Sequence, residues 1–265
     1  MRAQAPAPDT AHDHPARHRI GGLAPRSLVL PPAFTGLVAA GSPGAAEQAC
    51  RLADTGAADA GTLLMEERDD VIALAVVLAP NEPLATARRA FFVGMQALAD
   101  AVGTFGPPEI PVTFLWPDTL TFNGARLGGG ALRWPEGCGE ADTPDWLVFS
   151  AMLIASKRDA GDPGLTPDST SLEEEGFAQD LREPLVESFA RHLTKAFEIW
   201  SEDGAARSTG RYLARLALPP GARATIEPGG DARLVHADDR VETLPLLPTL
   251  VTPSWHDPAT GTVRL

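Results

Sequence analysis

The chain is short of several things, and each shortage removes a class of protein. It has only two cysteines, Cys50 and Cys138, far apart in sequence. They need not pair, so no disulfide framework organises the chain, and this usage suits a reducing cytoplasm. Basic side chains are outnumbered, 22 Lys and Arg against 35 Asp and Glu, for a net charge of -13. That balance argues against nucleic acid as a partner, because phosphate affinity comes from clustered cations. No apolar run approaches the roughly 18–20 residues needed to cross a bilayer, so no membrane partner is expected. The N-terminus lacks the basic-then-apolar pattern of a secretory signal.

What remains is ordinary: 44% hydrophobic and 22% charged over 265 residues. A chain of this length buries roughly 70–75% of its unfolded surface, enough for one core and a small appended domain. Residues 1–27, rich in Ala, Pro and His without an apolar period, are expected to be a disordered arm. His12, His14 and His18 lie there without any sign of a rigid scaffold, so no metal is assigned.

Beyond the arm, Ser42-Pro43 reads as a helix start, with a short helix following to about residue 54. Thr62–Glu66 and Val71–Leu78 are β-branched and aliphatic runs that predict strands. Pro83 opens a helix over 84–102, whose Phe91, Phe92, Met95, Leu98, Ala99 and Val102 recur at helical spacing. Residues 112–116 and Thr119–Phe122 are extended, and Asn123-Gly124 supplies two positive-φ turn positions before Gly128-Gly129-Gly130 on the return strand. Residues 146–155 predict an apolar strand, 157–170 a polar loop, and 183–202 a second long helix. His192 lies on the apolar stripe of that helix and reads as a packed imidazole. After Gly204, four short runs at 212–218, 223–227, 232–236 and 241–247, parted by Pro-Pro-Gly and Pro-Gly-Gly, predict a small β-barrel or sandwich.

One stretch carries more than fold. Phe114-Leu115-Trp116-Pro117-Asp118-Thr119-Leu120, a turn, then Gly124-Ala125-Arg126-Leu127-Gly128-Gly129-Gly130 resembles the ligand-binding signature of biotin protein ligases. That family writes it Lys-Trp-Pro-Asn-Asp-Leu, a turn, then Gly-x-Lys-x-Gly-Gly-Ile-Leu. Three further landmarks follow in order. Residues 146–154 resemble its Trp-Val-Val-Val-Gly-Ile-Gly-Ile-Asn strand. Thr170-Ser171-Leu172-Glu173-Glu174-Glu175 resembles its Ala-Thr-Ser-Leu-x-Glu-Glu segment. The helix ending Phe197-Glu198-Ile199-Trp200 resembles the one that leads into its C-terminal domain.

The resemblance to the biotin/lipoate A/B protein ligase family implies an α+β fold. A mixed, largely antiparallel sheet with helices packed on one face would occupy residues 28–204, and a small SH3-like β-domain residues 205–265. It also implies, for an active member, ATP with Mg and biotin or lipoate as cofactors, an acyl-adenylate, and transfer to a lysine of a biotinyl or lipoyl acceptor domain. Such acceptors are usually acidic, so a basic patch is needed on this acidic chain; Arg88-Arg89, or Arg191 with Lys195, is the candidate. The alternative for each is a solvated helix surface.

The departures from the pattern bear on activity. The lysine position is Leu115, and Asn-Asp is Asp118-Thr119. The family's glycine- and arginine-rich phosphate loop is replaced by Glu67-Arg68-Asp69-Asp70, and the last strand carries Met152 and Ile154 where glycine and asparagine stand. Removing one preorganised charge-stabilising group costs roughly 3–4 kcal/mol, or about 10²–10³ in rate. Losing the lysine and the loop together therefore depresses adenylation by orders of magnitude unless Arg126, Arg68 or Lys157 replaces them. Arg126, at the place of the family's second lysine, is the first choice.

The remaining candidates each have two readings. Trp116 and Pro117 floor a ligand pocket or simply pack. Asp118 accepts from a ligand N–H or caps its own turn. Gly128, Gly129 and Gly130 let a ligand approach the backbone or mark a bulge. Cys138 stands where an acyl carrier is conceivable, but Glu136 and Glu140 are the wrong sign to activate a thiolate. Ser254-Trp255-His256-Asp257 holds hydrolase-type residues too close in sequence to form a triad. Three outcomes follow. A diverged protein binding a small carboxylic acid, an acyl ligand or a protein partner expects an occluded phosphate end. A working ligase or acyltransferase expects a cation aimed into the pocket. A structural subunit expects a pocket filled by Met152 and Leu115.

Overall fold

Strands that are apolar at every position need cover on both sides, and this requirement shapes the molecule. In the computed structural model, which describes residues 23, 25–161 and 163–265, seven strands form one sheet. They are β1 (Thr35–Ala39), β2 (Thr62–Glu66), β3 (Val71–Leu78), β4 (Val112–Leu115), β5 (Thr119–Phe122), β6 (Ala125–Arg133) and β7 (Leu147–Ile154). Their order is β1-β2-β3-β7-β6-β5-β4, with β1 parallel to β2 and every other neighbour antiparallel. The sheet is thus mixed and largely antiparallel, as expected.

One face carries the main core. Leu63, Met65, Ile72, Leu74, Val76, Phe149 and Leu153 project onto α3 (Ala90–Phe105) and α4 (Arg182–Asp203), which pack on each other. The expectation of helices on one face holds for these two and fails for α1 (Ala45–Asp54). That helix lies on the opposite face with Leu37, Leu64, Ala75, Val77 and Val148. The reason is the alternation of side chains: all of Val71–Val77 is buried, so half of β3 faces away from the long helices.

Several local expectations shift. The short helix starts at Ala45 rather than at Ser42-Pro43, because Glu66 Oε1 on β2 accepts the Ala45 backbone N–H at 2.6 Å and Gly44 takes the N-cap. The helix after Pro83 breaks into α2 (Leu84–Ala87) and α3 around Arg88 and Arg89. Asn123 and Gly124 do have positive φ, 52° and 81°, and turn β5 into β6. Most of residues 1–27, expected as a disordered arm, lies outside the described residues, as do His12, His14 and His18. Where it is described, Pro25 bridges Leu37 and the Arg26 N–H donates to Gly36 O at 2.9 Å.

Residues 212–218, expected as a strand, begin inside α5 (Ala205–Leu213), which packs on α3 and α4. The next segment lies along β4, with the Phe114 N–H donating to Arg215 O and the Ala217 N–H to Phe114 O, both at 2.9 Å. Then come β8 (Arg223–Ile226), β9 (Ala232–Val235) and β10 (Val241–Leu244), a three-stranded antiparallel sheet of order β10-β9-β8. Short α6 (Leu247–Val251) and a hairpin of β11 (His256–Asp257) and β12 (Thr262–Val263) end the chain. Among the described residues no helix is long and apolar enough to cross a membrane.

Candidate functional site

The sheet positions the motif residues by register. Leu115, Thr119, Gly129, Met152 and Ala73 pair in turn across β4, β5, β6, β7 and β3. They share the face that α1 covers only at its other end. Leu115 lies at the rim of this row, 50% exposed. The glycines divide by side. A Cβ at Gly128 or Gly130 would strike Leu153, or Met95 and Phe149, in the main core; one at Gly129 would strike the ring of Trp255. Close approach at Gly129 is therefore real, and the approaching group is the chain itself.

Residues 253–263 lie over this row. Trp255 is 4% exposed, packs with Ala131, Ile154 and Val263, and donates its indole N–H to Gly130 O at 2.9 Å. Asp118 is fully buried. Its Oδ2 accepts the Ser254 N–H at 2.7 Å, and its Oδ1 accepts the Ser254 hydroxyl at 2.7 Å and that of Thr119 at 3.2 Å. Burial holds the Asp118 carboxyl pKa above its ordinary value, and the hydrogen bonds from Ser254 and Thr119 offset only part of that rise. Ser254 thus answers Asp118 rather than His256.

Trp116 and Pro117 are not part of this cluster. The Trp116 ring lies on the helical side against Phe92 and Tyr212, at centroid distances of 5.6 and 6.2 Å. Its indole N–H donates to Pro245 O at 3.3 Å. Pro117 accepts from Tyr212.

Each candidate cation has a partner already. The Arg126 Nε–H donates to Arg264 O at 3.0 Å, latching the tail. Arg68 forks onto Asp70, with Nε 2.9 Å from Oδ1, and lies 3.7 Å from Glu66. The Lys157 ammonium is buried, donating to Ser169 O at 2.9 Å and Thr166 O at 3.3 Å, with Glu174 at 3.5 Å. Elsewhere, Arg88 pairs with Glu140, Arg89 with Glu82, Arg191 with Glu187 and Lys195 with Glu198. Burial raises the Cys138 thiol pKa, and Asp142 and Asp145 add to the rise.

Between α1 and the tail a cavity of ≈ 90 Å³ remains, lined by Glu47, Glu66, Ala73, Arg133, Met152 and Trp255 among others. Arg133 is paired with Glu47 at 2.8 Å, so the lining is acidic on balance. A wider groove of ≈ 850 Å³ lies elsewhere, among Phe34, Val77, Leu193, Phe197 and Trp200. Its rim carboxylates Glu82 and Glu198 are those paired with Arg89 and Lys195.

Sequence reasoning missed Glu66 and the Ser254–Trp255 pair as parts of this site. A single tryptophan in a short polar stretch between Pro253 and Pro258 is the available signal.

Comparison with known proteins agrees with this architecture. The model of the biotin/lipoate A/B protein ligase family matches residues 30–214. A biotin protein ligase-like protein of unknown function from Silicibacter sp. TM1040 is 30% identical, with a TM-score of 0.73 over 85% of this chain and 100% of its own. Biotin protein ligase from Aquifex aeolicus is 16% identical, with a TM-score of 0.58 over 76% of this chain and 91% of its own. No protein of curated function matches. This chain belongs to the biotin/lipoate A/B protein ligase family.

Proposed function

We propose that this chain is a diverged, binding member of its family in which ATP-dependent ligation is lost. The observation that carries this reading is the pairing of the Asp118 carboxylate with Ser254, which closes the motif site with the chain's own residues. An acyl-adenylate needs cationic and N–H groups free to meet phosphate and carboxylate. The residues present do not fit one: Arg68, Arg126 and Lys157 are committed elsewhere, and the N–H of Ala45 at the start of α1 is met by Glu66. A negative phosphate would also face the carboxylates of Glu66 and Asp118. Binding of a small ligand or of a partner protein is the role left to the site. We take residues 28–204 as the ligase-like unit and β8–β10 as a reduced counterpart of an SH3-like domain, acting in the cytoplasm.

The other reading, an active biotin or lipoyl ligase that modifies an acceptor lysine, has Arg126 in its favour. Its guanidinium lies beside the tail that covers the site, and release of the tail would free it.

Calorimetry with biotin, lipoate and octanoate, run beside a pyrophosphate-release assay with ATP, separates the two. The binding role predicts no acid-dependent pyrophosphate; steady release with any of these acids would establish the ligase.

A further inference from the structure

The tail meets the sheet through contacts that a free ligand would also make. Trp255 lays a flat ring over Gly129 and gives one N–H to Gly130 O. Ser254 gives two donors to the two oxygens of Asp118. Beside them only ≈ 90 Å³ is left, against about 300–1,000 Å³ for a ligand pocket. A void of that size beside Trp255 admits nothing as large as a cofactor.

Among the described residues, few other contacts hold the tail down. β11 and β12 share two residue pairs, His256 with Val263 and Asp257 with Thr262, and a hairpin that short has no stability of its own. Ser254, Ala259, Thr260 and Gly261 are exposed, as is Val251 at 70%. Among the described residues, the anchors besides Trp255 and Ser254 are Val263, 2% exposed, the packing of β12 on β7, and the carbonyl of Arg264 on Arg126. Segments with so few buried contacts open at a free energy well below that of global unfolding.

We infer that residues 252–265 are a displaceable plug, and that Ser254–Trp255 occupies the place of a ligand with a flat ring, an N–H for Gly130 O, and donors toward Asp118. The inference rests on the reading that this site binds a ligand, and it narrows the class. Glu66 and Asp118 disfavour an anionic group at the ring end, since like charges at close range cost energy in a partly buried site. An uncharged or cationic donor-bearing ring fits; a bare carboxylate there does not.

The plug is tested without any ligand. Amide exchange of the full chain, followed by mass spectrometry, should show residues 252–265 exchanging on the order of 100-fold faster than β6 and β7. Exchange of the tail at the same rate as those strands would overturn the plug. The ligand class is tested with N-acetyl-seryl-tryptophan amide as probe. It should bind full-length Trp255→Ala at least about tenfold tighter than wild type, a gain of ~1.4 kcal/mol, and Asp118→Asn added to that variant should abolish the gain. Should Trp255→Ala not fold, the same probe should speed tail exchange in the wild-type chain. A tail that opens while the probe neither binds nor speeds exchange overturns the ring-donor class. Binding of biotin, lipoate or octanoate in its place would leave the proposed binding role standing.

Discussion

The phenolic hydroxyl of Tyr212 donates to the carbonyl of Pro117 at 2.8 Å, joining α5 to the turn that presents Asp118. Tyr212 is fully buried, and its ring stacks on Phe114 at 4.6 Å between centroids with 11° between planes. One side chain thus sets both the floor and the height of that turn. Tyr212→Phe keeps the stack and strips the donor, leaving a buried carbonyl unpaired. The expected cost is about 1–3 kcal/mol, read as a lower urea midpoint with an unchanged slope.

Gly94 of α3 faces β7, where a Cβ would enter the ring of Phe149. Helix propensity alone would favour alanine there by roughly 1 kcal/mol. The aromatic ring is rigid and packed against Phe91 and Phe189, so overpacking should win, costing about 1–3 kcal/mol. Gly94→Ala should therefore melt below wild type; a higher Tm would show that the two layers can part.

His192 Nε2 lies 3.2 Å from Thr104 Oγ1, and burial holds the imidazole pKa below its ordinary value. Asp100 opposes that shift, while Arg191, Arg211 and Arg215 add to it. A base with a depressed folded pKa is protonated first in the unfolded chain. Its stabilising contribution is full above the ordinary value of ~6.5 and fades as pH falls toward the folded value. Urea midpoints measured from about pH 8 down to pH 5.5 should decline less for His192→Gln than for wild type. Identical slopes would remove His192 as a cause.

Lys157 serves the loop that follows it, giving its buried ammonium to Ser169 O and Thr166 O. Lys157→Met keeps the stem and removes the donors. Loss of about 1–3 kcal/mol is expected from the stranded acceptors, together with faster proteolytic nicking between 158 and 168. An unchanged cleavage pattern would assign loop order to the backbone alone.

The parts of the fold legible in sequence are those whose signal is local. Val71–Leu78 is apolar throughout and Leu147–Ile154 at every position but Ser150, Asn123-Gly124 demands positive φ, and α4 repeats its apolar residues each turn. α5 escaped because its buried face is Ser208, Thr209 and Tyr212, which carries no aliphatic side chain to mark it. The start of α1 is not legible because its N-terminal partner, Glu66, comes from β2, distant in sequence. The motif located Asp118 and Gly129 at the site, yet nothing near them names their partners. Ser254 and Trp255 lie more than a hundred residues away, and only the folded register brings them there.

The underside of the sheet is roofed by two pieces of chain, α1 and the C-terminal segment, whose apolar clusters do not merge. A seam runs between them where Glu66, Arg133 and Pro253 line the small void. Because neither half of the roof leans on the other's hydrophobic contacts, one can lift while the other stays shut. The sheet itself keeps the uninterrupted backing of α3 and α4 throughout.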